Sequence, residues 1–184
     1  MSVQYSGDKI VFADGSIVAS GSLAKRFNEA FEYRNGKLYW KINTNKSKKL
    51  IGKEAGCKSS GEYGVVNLDS KAYSVHKVIY CMFHAEMPVV VDHINGVYSD
   101  HRIENLRAAD HTTNNYNKGF QKNNTSGVKG LTWNKQAKMW QASISYIGKV
   151  RNLGYFKDKD DGAEFMSLAR DMLHGEFANH GVFK

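Results

Sequence analysis

Apolar residues along this chain recur mostly in short alternating runs, separated by glycine- and asparagine-rich stretches. The run FEYRNGKLYWKI predicts a hairpin, with an Asn35-Gly36 turn and Leu38, Trp40 and Ile42 alternating beyond it. YGVVNLDSKAYSV predicts a second hairpin about Asp69-Ser70. It leads into VHKVIYCMFHAEM, where Val75, Val78, Ile79 and Met82 recur at helical spacing. That stripe reads as core, with His76 and His84 as structural residues at its edges, and Pro88 ends the unit. Upstream, Ser22 is placed to cap a short helix carrying Leu23, Phe27 and Ala30 on one face. NTNKSKKLIGK reads as a basic loop, and the first twenty residues are polar, glycine-spaced and without a clear period.

Further along, VVVD predicts a short strand, INGVYSD its turn, and RIENLR a second strand or extended return. Asp110 is a plausible N-cap for a helix over HTTNNYNK. QKNNTSG at 121–127 has the small, polar composition of a linker. Beyond it VKGLTW, MWQASISY and VRNLGYF predict three strands, with turns at Asn134-Lys135 and Gly148-Lys149. A helix from Lys159 to His174 follows, with Phe165, Leu168, Ala169, Met172 and Leu173 expected to face inward. Strands followed by a helix, without internal repeats, make the fold class α+β. The expected organisation is an N-terminal region at 1–62, a core at 63–120, the linker, and a C-terminal domain at 128–184.

At 184 residues the chain has room for one ordinary domain or two to three small ones. A hydrophobic share of 41% lets it bury a core, which excludes a disordered tail. No apolar run approaches a bilayer span and no signal peptide is read, so a cytoplasmic protein without a membrane partner is expected. Cys57 and Cys81 are too few for a disulfide framework or a Cys-rich zinc module and are read as reduced thiols. The net charge of +8 points to a polyanion, because Lys and Arg neutralise phosphates and release counterions.

Asp92 and His93 raise the chemical question. Phosphodiester hydrolysis needs an activated water, charge stabilisation on the phosphate and help for the leaving alkoxide. A histidine can take the proton, and a hard cation on carboxylate and amide oxygens can do the other two jobs. Read singly, Asp92-His93 is also a polar turn and Asn114-Asn115 a helix start. Asn105 follows His93 by twelve positions, and Asn114 follows Asn105 by nine. VDHINGVYSDHRIENLR, with the Asn pair beyond it, resembles the HNH nuclease motif in its His-Asn-Asn form, as in phage-type homing endonucleases. VHKVIYCMFHAEMP resembles the segment that precedes the motif, so the likeness covers roughly residues 63–118.

The resemblance implies a ββα-metal centre. It makes His93 the general base, Asp92 the first metal ligand and Asn114 the second, with Asn115 the choice if the register slips by one. Asn105 would tie the hairpin together and help to orient His93. The implied cofactor is Mg²⁺, with Mn²⁺ as a substitute. Arg102 and Arg107 are candidates for phosphate contact or for solvated strand positions. The family usually has Asp-Asn-Arg where this chain has Asp100-His101-Arg102. His101 receives no catalytic role, and His111 is read as a surface or helix-start residue.

The stretch from SGVKGLTW to HGEFAN is similar to an AP2 DNA-binding domain, through GVKG, the pair Trp133 and Trp140, LGYF, an acidic helix start and HGEFAN. That likeness implies a three-stranded antiparallel sheet packed on one helix and laid in the major groove of double-stranded DNA. Lys129, Thr132, Trp133, Lys135, Lys138, Trp140, Gln141, Lys149 and Arg151 are the expected readers. That one of the two tryptophans packs between sheet and helix stays open. The implied protein is a homing-type DNA endonuclease with 5′-phosphate and 3′-hydroxyl products and no obligate protein partner. The competing readings are a DNA-binding regulator with an inactive core and a phage defence or packaging nuclease.

Overall fold

A computed structural model of the chain describes residues 4–6, 9–11, 17–44, 49–58 and 64–181. Residues 45–48 of the basic loop and 182–184 of the C-terminal domain lie outside the described residues. The chain forms two compact units, Met1–Asp110 and His111–Lys184. Among the described residues no helix is long and apolar enough to cross a membrane.

In the first unit the glycine-spaced start forms a small antiparallel sheet of β1 (Gln4–Ser6), β2 (Lys9–Val11) and β3 (Ile17–Ala19). Helix α1 (Ser20–Ala30) begins two residues before the expected Ser22 cap and buries Leu23, Phe27 and Ala30. β4 (Phe31–Arg34) and β5 (Lys37–Trp40) make the first hairpin. Asn35 and Gly36 both take positive φ, 44° and 82°, which matches the twist of the strands they join. β6 (Glu54–Ala55) adds a third strand beside β5. β7 (Cys57–Lys58), β8 (Gly64–Leu68) and β9 (Lys71–Ser74) form another sheet and lead directly into α2 (Val75–His84). Ala85 closes α2 in the left-handed region, its N–H bonded to the Cys81 carbonyl. Phe27, Phe31, Leu38, Val78 and Ile79 are fully buried together. Cys81 lies among them, and burial pushes its thiol up to about 12, as suits an inert core residue.

β10 (Val90–His93) and β11 (Leu106–Ala109) pair antiparallel, with Asp92 opposite Arg107 and His93 opposite Leu106. The expected return over RIENLR is only partly a strand. Its first half is a single 3-10 turn, Ile103–Asn105, which swings the Asn105 side chain back across the loop.

In the second unit α3 (His111–Tyr116) starts directly after Asp110 and stops two residues short of expectation. β12 (Leu131–Asn134), β13 (Met139–Tyr146) and β14 (Lys149–Phe156) form an antiparallel sheet, with α4 (Lys159–His174) packed on it. The second turn is Ile147-Gly148 rather than Gly148-Lys149, because Lys149 already pairs with Tyr146. Asp158 caps α4 by accepting the N–H groups of Asp160 and Asp161 at 2.7 and 3.2 Å.

The inward face of α4 corrects part of the reading of its apolar residues: Leu173 packs against the core and Ala169 is half-buried, as expected. Leu168 and Met172 are exposed, at 59% and 85%, and Phe165 is exposed too. Gly162, Met166, Arg170 and His174, four residues apart, are the buried row. Gly162 lets α4 approach the sheet closely: a Cβ there would stand 3.0 Å from the end of the Leu131 side chain, which would have to give way. Polar partners make the rest possible. Arg170 donates to the Lys129 carbonyl and His174 Nε2 bonds the Ser145 carbonyl at 2.8 Å.

Lys129 also turns out to be placed differently from the expected outward reader. Its ammonium donates to the carbonyls of Tyr116, Lys118 and Asn179, tying three segments of the unit together. Burial, with Arg170 nearby, pushes its pKa down to about 8. Lys129→Met should therefore lower the unfolding free energy by about 2–3 kcal/mol, since it strands buried carbonyls. Urea titration would check this; an unchanged midpoint would mean that the ammonium contributes nothing to the fold.

Candidate active site

The adjacent residues Asp92 and His93 end β10 and are both buried, at 6% and 2% exposure. Across the ladder Arg107 Nε and Nη2 reach Asp92 Oδ2 at 2.9 and 2.8 Å. Arg107, expected at phosphates or in solvent, is therefore engaged inside the unit as the counterion of a buried carboxylate. Such a pair is demanding: removing one member leaves the other charge buried.

His93 Nε2 lies 3.0 Å from His101 Nδ1. Desolvation pushes the His93 pKa down to about 4, and the nearby His101 adds to this. At neutral pH the ring is uncharged, the form a proton acceptor needs. His76, on α2, completes a cluster of three imidazoles. Its ring centroid is 5.3 Å from that of His93 and 5.9 Å from that of His101. Burial holds His76 at about 3.

These shifts predict acid lability. Both His76 and His93 are depressed below 6.5, so between that value and about 3 to 4 the unfolded chain binds more protons than the folded one. Stability therefore falls as pH drops through this window, by about 1.4 kcal/mol per pH unit for each histidine. Denaturant midpoints at pH 7 and pH 5 would measure it, and His76→Phe should flatten the dependence. An equal loss in that variant would remove His76 as a cause.

Asn105, only 7% exposed, closes the loop that follows His93. Its Oδ1 accepts the Asn95 N–H at 3.0 Å, and its Nδ2 donates to Asn95 Oδ1 and to the Asp100 carbonyl. Its own carbonyl accepts the Ile94 N–H at 2.9 Å. The Asp100 carboxylate takes Asn95 Nδ2 and a two-pronged contact from Arg102 at 2.7 and 2.8 Å. Those bonds hold the Asp100 carboxyl well below the usual carboxylate range. Arg102 thus braces the loop, although it is half exposed. The first hairpin contributes as well: the Tyr33 hydroxyl accepts the Ile103 N–H at 3.1 Å.

In the second unit Asn114 stands half-buried on α3 and Asn115 is exposed. Tyr116 anchors that helix, stacked on His174 with centroids 3.7 Å apart and its hydroxyl accepting the Ile147 N–H. On the sheet, cross-strand partners share a face. Trp133 opposes Trp140, and Trp140 opposes Phe156, on the side of Leu131, Ala142 and α4. Both tryptophans therefore leave the expected reading face; Trp140 packs on the core, and Trp133 stands edge-on to it at 5.3 Å. Lys149 and Arg151 oppose Tyr146 and Ile144 on that same side, though exposed. The opposite face presents Thr132, Gln141, Ser143, Ser145, Asn152 and Tyr155. Lys135 and Lys138 project from the turn at its end.

His76 and His101 are the cluster members that sequence reasoning did not place here. His76 looked like one more residue of an apolar stripe. The substitution at His101 was itself the signal, because it falls inside the motif. Among the described residues no three His, Cys, Asp or Glu side chains gather at a point that could hold a metal ion.

Residues 73–116 match the HNH endonuclease family, a stretch that runs from β9 through the hairpin to the end of α3. The chain is also 37% identical over 90 residues to Protein 3.8 of Escherichia phage T7, a match covering 48% of this chain and 72% of the phage protein. No solved structure matches. The protein is thus a homologue of this phage protein, belongs to its family, and carries an HNH endonuclease domain at residues 73–116.

Proposed function

We propose that the protein is a metal-dependent endonuclease that hydrolyses phosphodiester bonds of double-stranded DNA at a preferred site, in the manner of a phage homing endonuclease with an AP2-like binding domain. The observation that carries this reading is His93: a buried, neutral imidazole beside Asp92, followed by a loop that Asn105 clamps shut. In this reading His93 takes a proton from water as the water oxygen attacks phosphorus. The bond from phosphorus to the 3′ oxygen breaks, and that oxygen leaves and takes a proton from solvent, to which His93 later returns its own. The products carry 5′-phosphate and 3′-hydroxyl ends.

The donor set suits a hard cation. Asp92 offers a carboxylate oxygen oriented by Arg107, and Asn114 an amide oxygen, with Asn115 the alternative; neither is a soft ligand. A bound Mg²⁺, or Mn²⁺ in its place, would supply Lewis-acid stabilisation of the charge that builds on the phosphate. Arg107 sets the direction of the Asp92 carboxylate, and Asn105 keeps the loop from drifting over His93.

In the second unit the polar sheet face with Thr132, Gln141 and Ser143 is the surface suited to base edges in a major groove, and Lys135 and Lys138 at the turn beside it are suited to phosphates. Thr132→Ala with Gln141→Ala should relax site preference, whereas Lys135→Ala should weaken binding to all sequences alike.

Cleavage of supercoiled plasmid, and of DNA from the native locus, with Mg²⁺, Mn²⁺ or EDTA tests the central claim. Metal-dependent nicking or linearisation supports it. Tight DNA binding with no cleavage under any metal would favour a regulator instead.

A further inference from the structure

We infer that His101 is a positioning residue for His93: its Nδ1 accepts the Nε2–H of His93 and so fixes the lone pair of the base on Nδ1. The inference rests on the nuclease reading above and adds to it a residue that stands where the motif ordinarily has asparagine.

The separation of 3.0 Å is that of a hydrogen bond between ring nitrogens. A neutral imidazole has one donor and one acceptor nitrogen. If Nε2 donates to His101, the proton-accepting lone pair of His93 must lie on Nδ1. The arrangement also survives the reaction. When His93 gains a proton from water, Nε2–H goes on donating to the same acceptor and the bond becomes charge-assisted. His101 keeps its own protonation state throughout.

The place of His101 is over-determined, as a positioning residue requires. On one side Asp100 is held by Arg102 and Asn95, and its carbonyl by Asn105 Nδ2. On the other, Tyr33 holds the Ile103 N–H. The first hairpin turn presses on the intervening backbone: a Cβ added to Gly36 would stand 3.0 Å from the Arg102 nitrogen and 3.2 Å from the His101 carbonyl carbon. The N-terminal hairpin, whose purpose the sequence left open, is thus the buttress of the His101 segment.

Asparagine can imitate this acceptor. Its Oδ1 is three bonds from Cα, as is the Nδ1 of histidine, whereas phenylalanine keeps the ring and loses the acceptor. The test compares His101→Phe and His101→Asn with wild type in plasmid cleavage, alongside ¹⁵N-histidine NMR of the metal-free proteins. His101→Phe should lower kcat by about 10- to 100-fold, the usual scale for a lost supporting partner. KM for DNA and thermal stability should stay near wild type, and His101→Asn should restore most of kcat. In wild type the unprotonated nitrogen signal of His93 should fall on Nδ1, and in His101→Phe the two tautomers should mix.

Wild-type kcat in His101→Phe, or a His93 proton on Nδ1 in wild type, would overturn the inference. If wild type itself cuts no DNA, the nuclease reading fails. The NMR result then still decides which ring donates.

Discussion

His93→Ala is expected to slow DNA cleavage by about 10²- to 10⁴-fold, the range that a positioned acid–base group contributes. The ring is 2% exposed, neutral at physiological pH, and set among His76, His101 and the clamped loop. No other described histidine is set to take its place if the imidazole is removed: His76 is itself buried on α2, and His101 is the hydrogen-bond partner. Because alanine also opens a cavity, two controls are needed. DNA binding and the denaturant midpoint should be measured for the variant, and free imidazole should be added to the reaction. Partial recovery with imidazole would identify the missing group as the base, since a small ring can enter the vacated space. Cleavage at the wild-type rate by a folded His93→Ala protein would place the chemistry elsewhere.

The second large effect concerns Asp92. Asp92→Ala should destabilise the first unit by about 3–5 kcal/mol, because Arg107 would stay buried without its carboxylate. Side-chain exposures of 7% for Asp92 and 13% for Arg107 make this a buried pair and not a surface contact. The double variant Asp92→Ala/Arg107→Leu removes both charges and should recover most of that stability, since apolar replacements of buried ion pairs are commonly neutral or better. On the proposed reading cleavage should not return in the double variant, because the carboxylate assigned to the cation is still missing. Urea titration and plasmid nicking on the same three proteins separate these roles. Recovery of cleavage together with stability would show that Asp92 only holds the fold and has no part in the chemistry.

Local patterns carried much of the architecture. Asn35-Gly36 and Asp69-Ser70 form the expected turns because both residues of each pair take positive φ, a conformation set by the dipeptide itself. Helix α2 follows the apolar spacing of Val75, Val78 and Ile79, and α4 occupies the expected range behind its acidic cap. The Asp-His and Asn spacings pointed to the HNH domain, which falls at residues 73–116. For the turns and helices the determining contacts lie within a few residues of one another.

What the tertiary structure alone decided depends on partners far apart in the chain. Hydrophobicity placed Leu173 on the core side of α4 but also put Leu168 and Met172 there, whereas the fully buried row includes Arg170 and His174, held by bonds to carbonyls, and Gly162 beside Leu131. Cross-strand register moved Trp133 and Trp140 to the helix side, and three carbonyls drew in Lys129. The same holds for Arg107 on Asp92, fixed by strand pairing, and for His101 on His93, fixed by a braced loop. Sequence determined which elements form and where the chemical groups lie along the chain. Which groups touch was decided by register and packing, because buried polar atoms must find partners wherever the fold brings them.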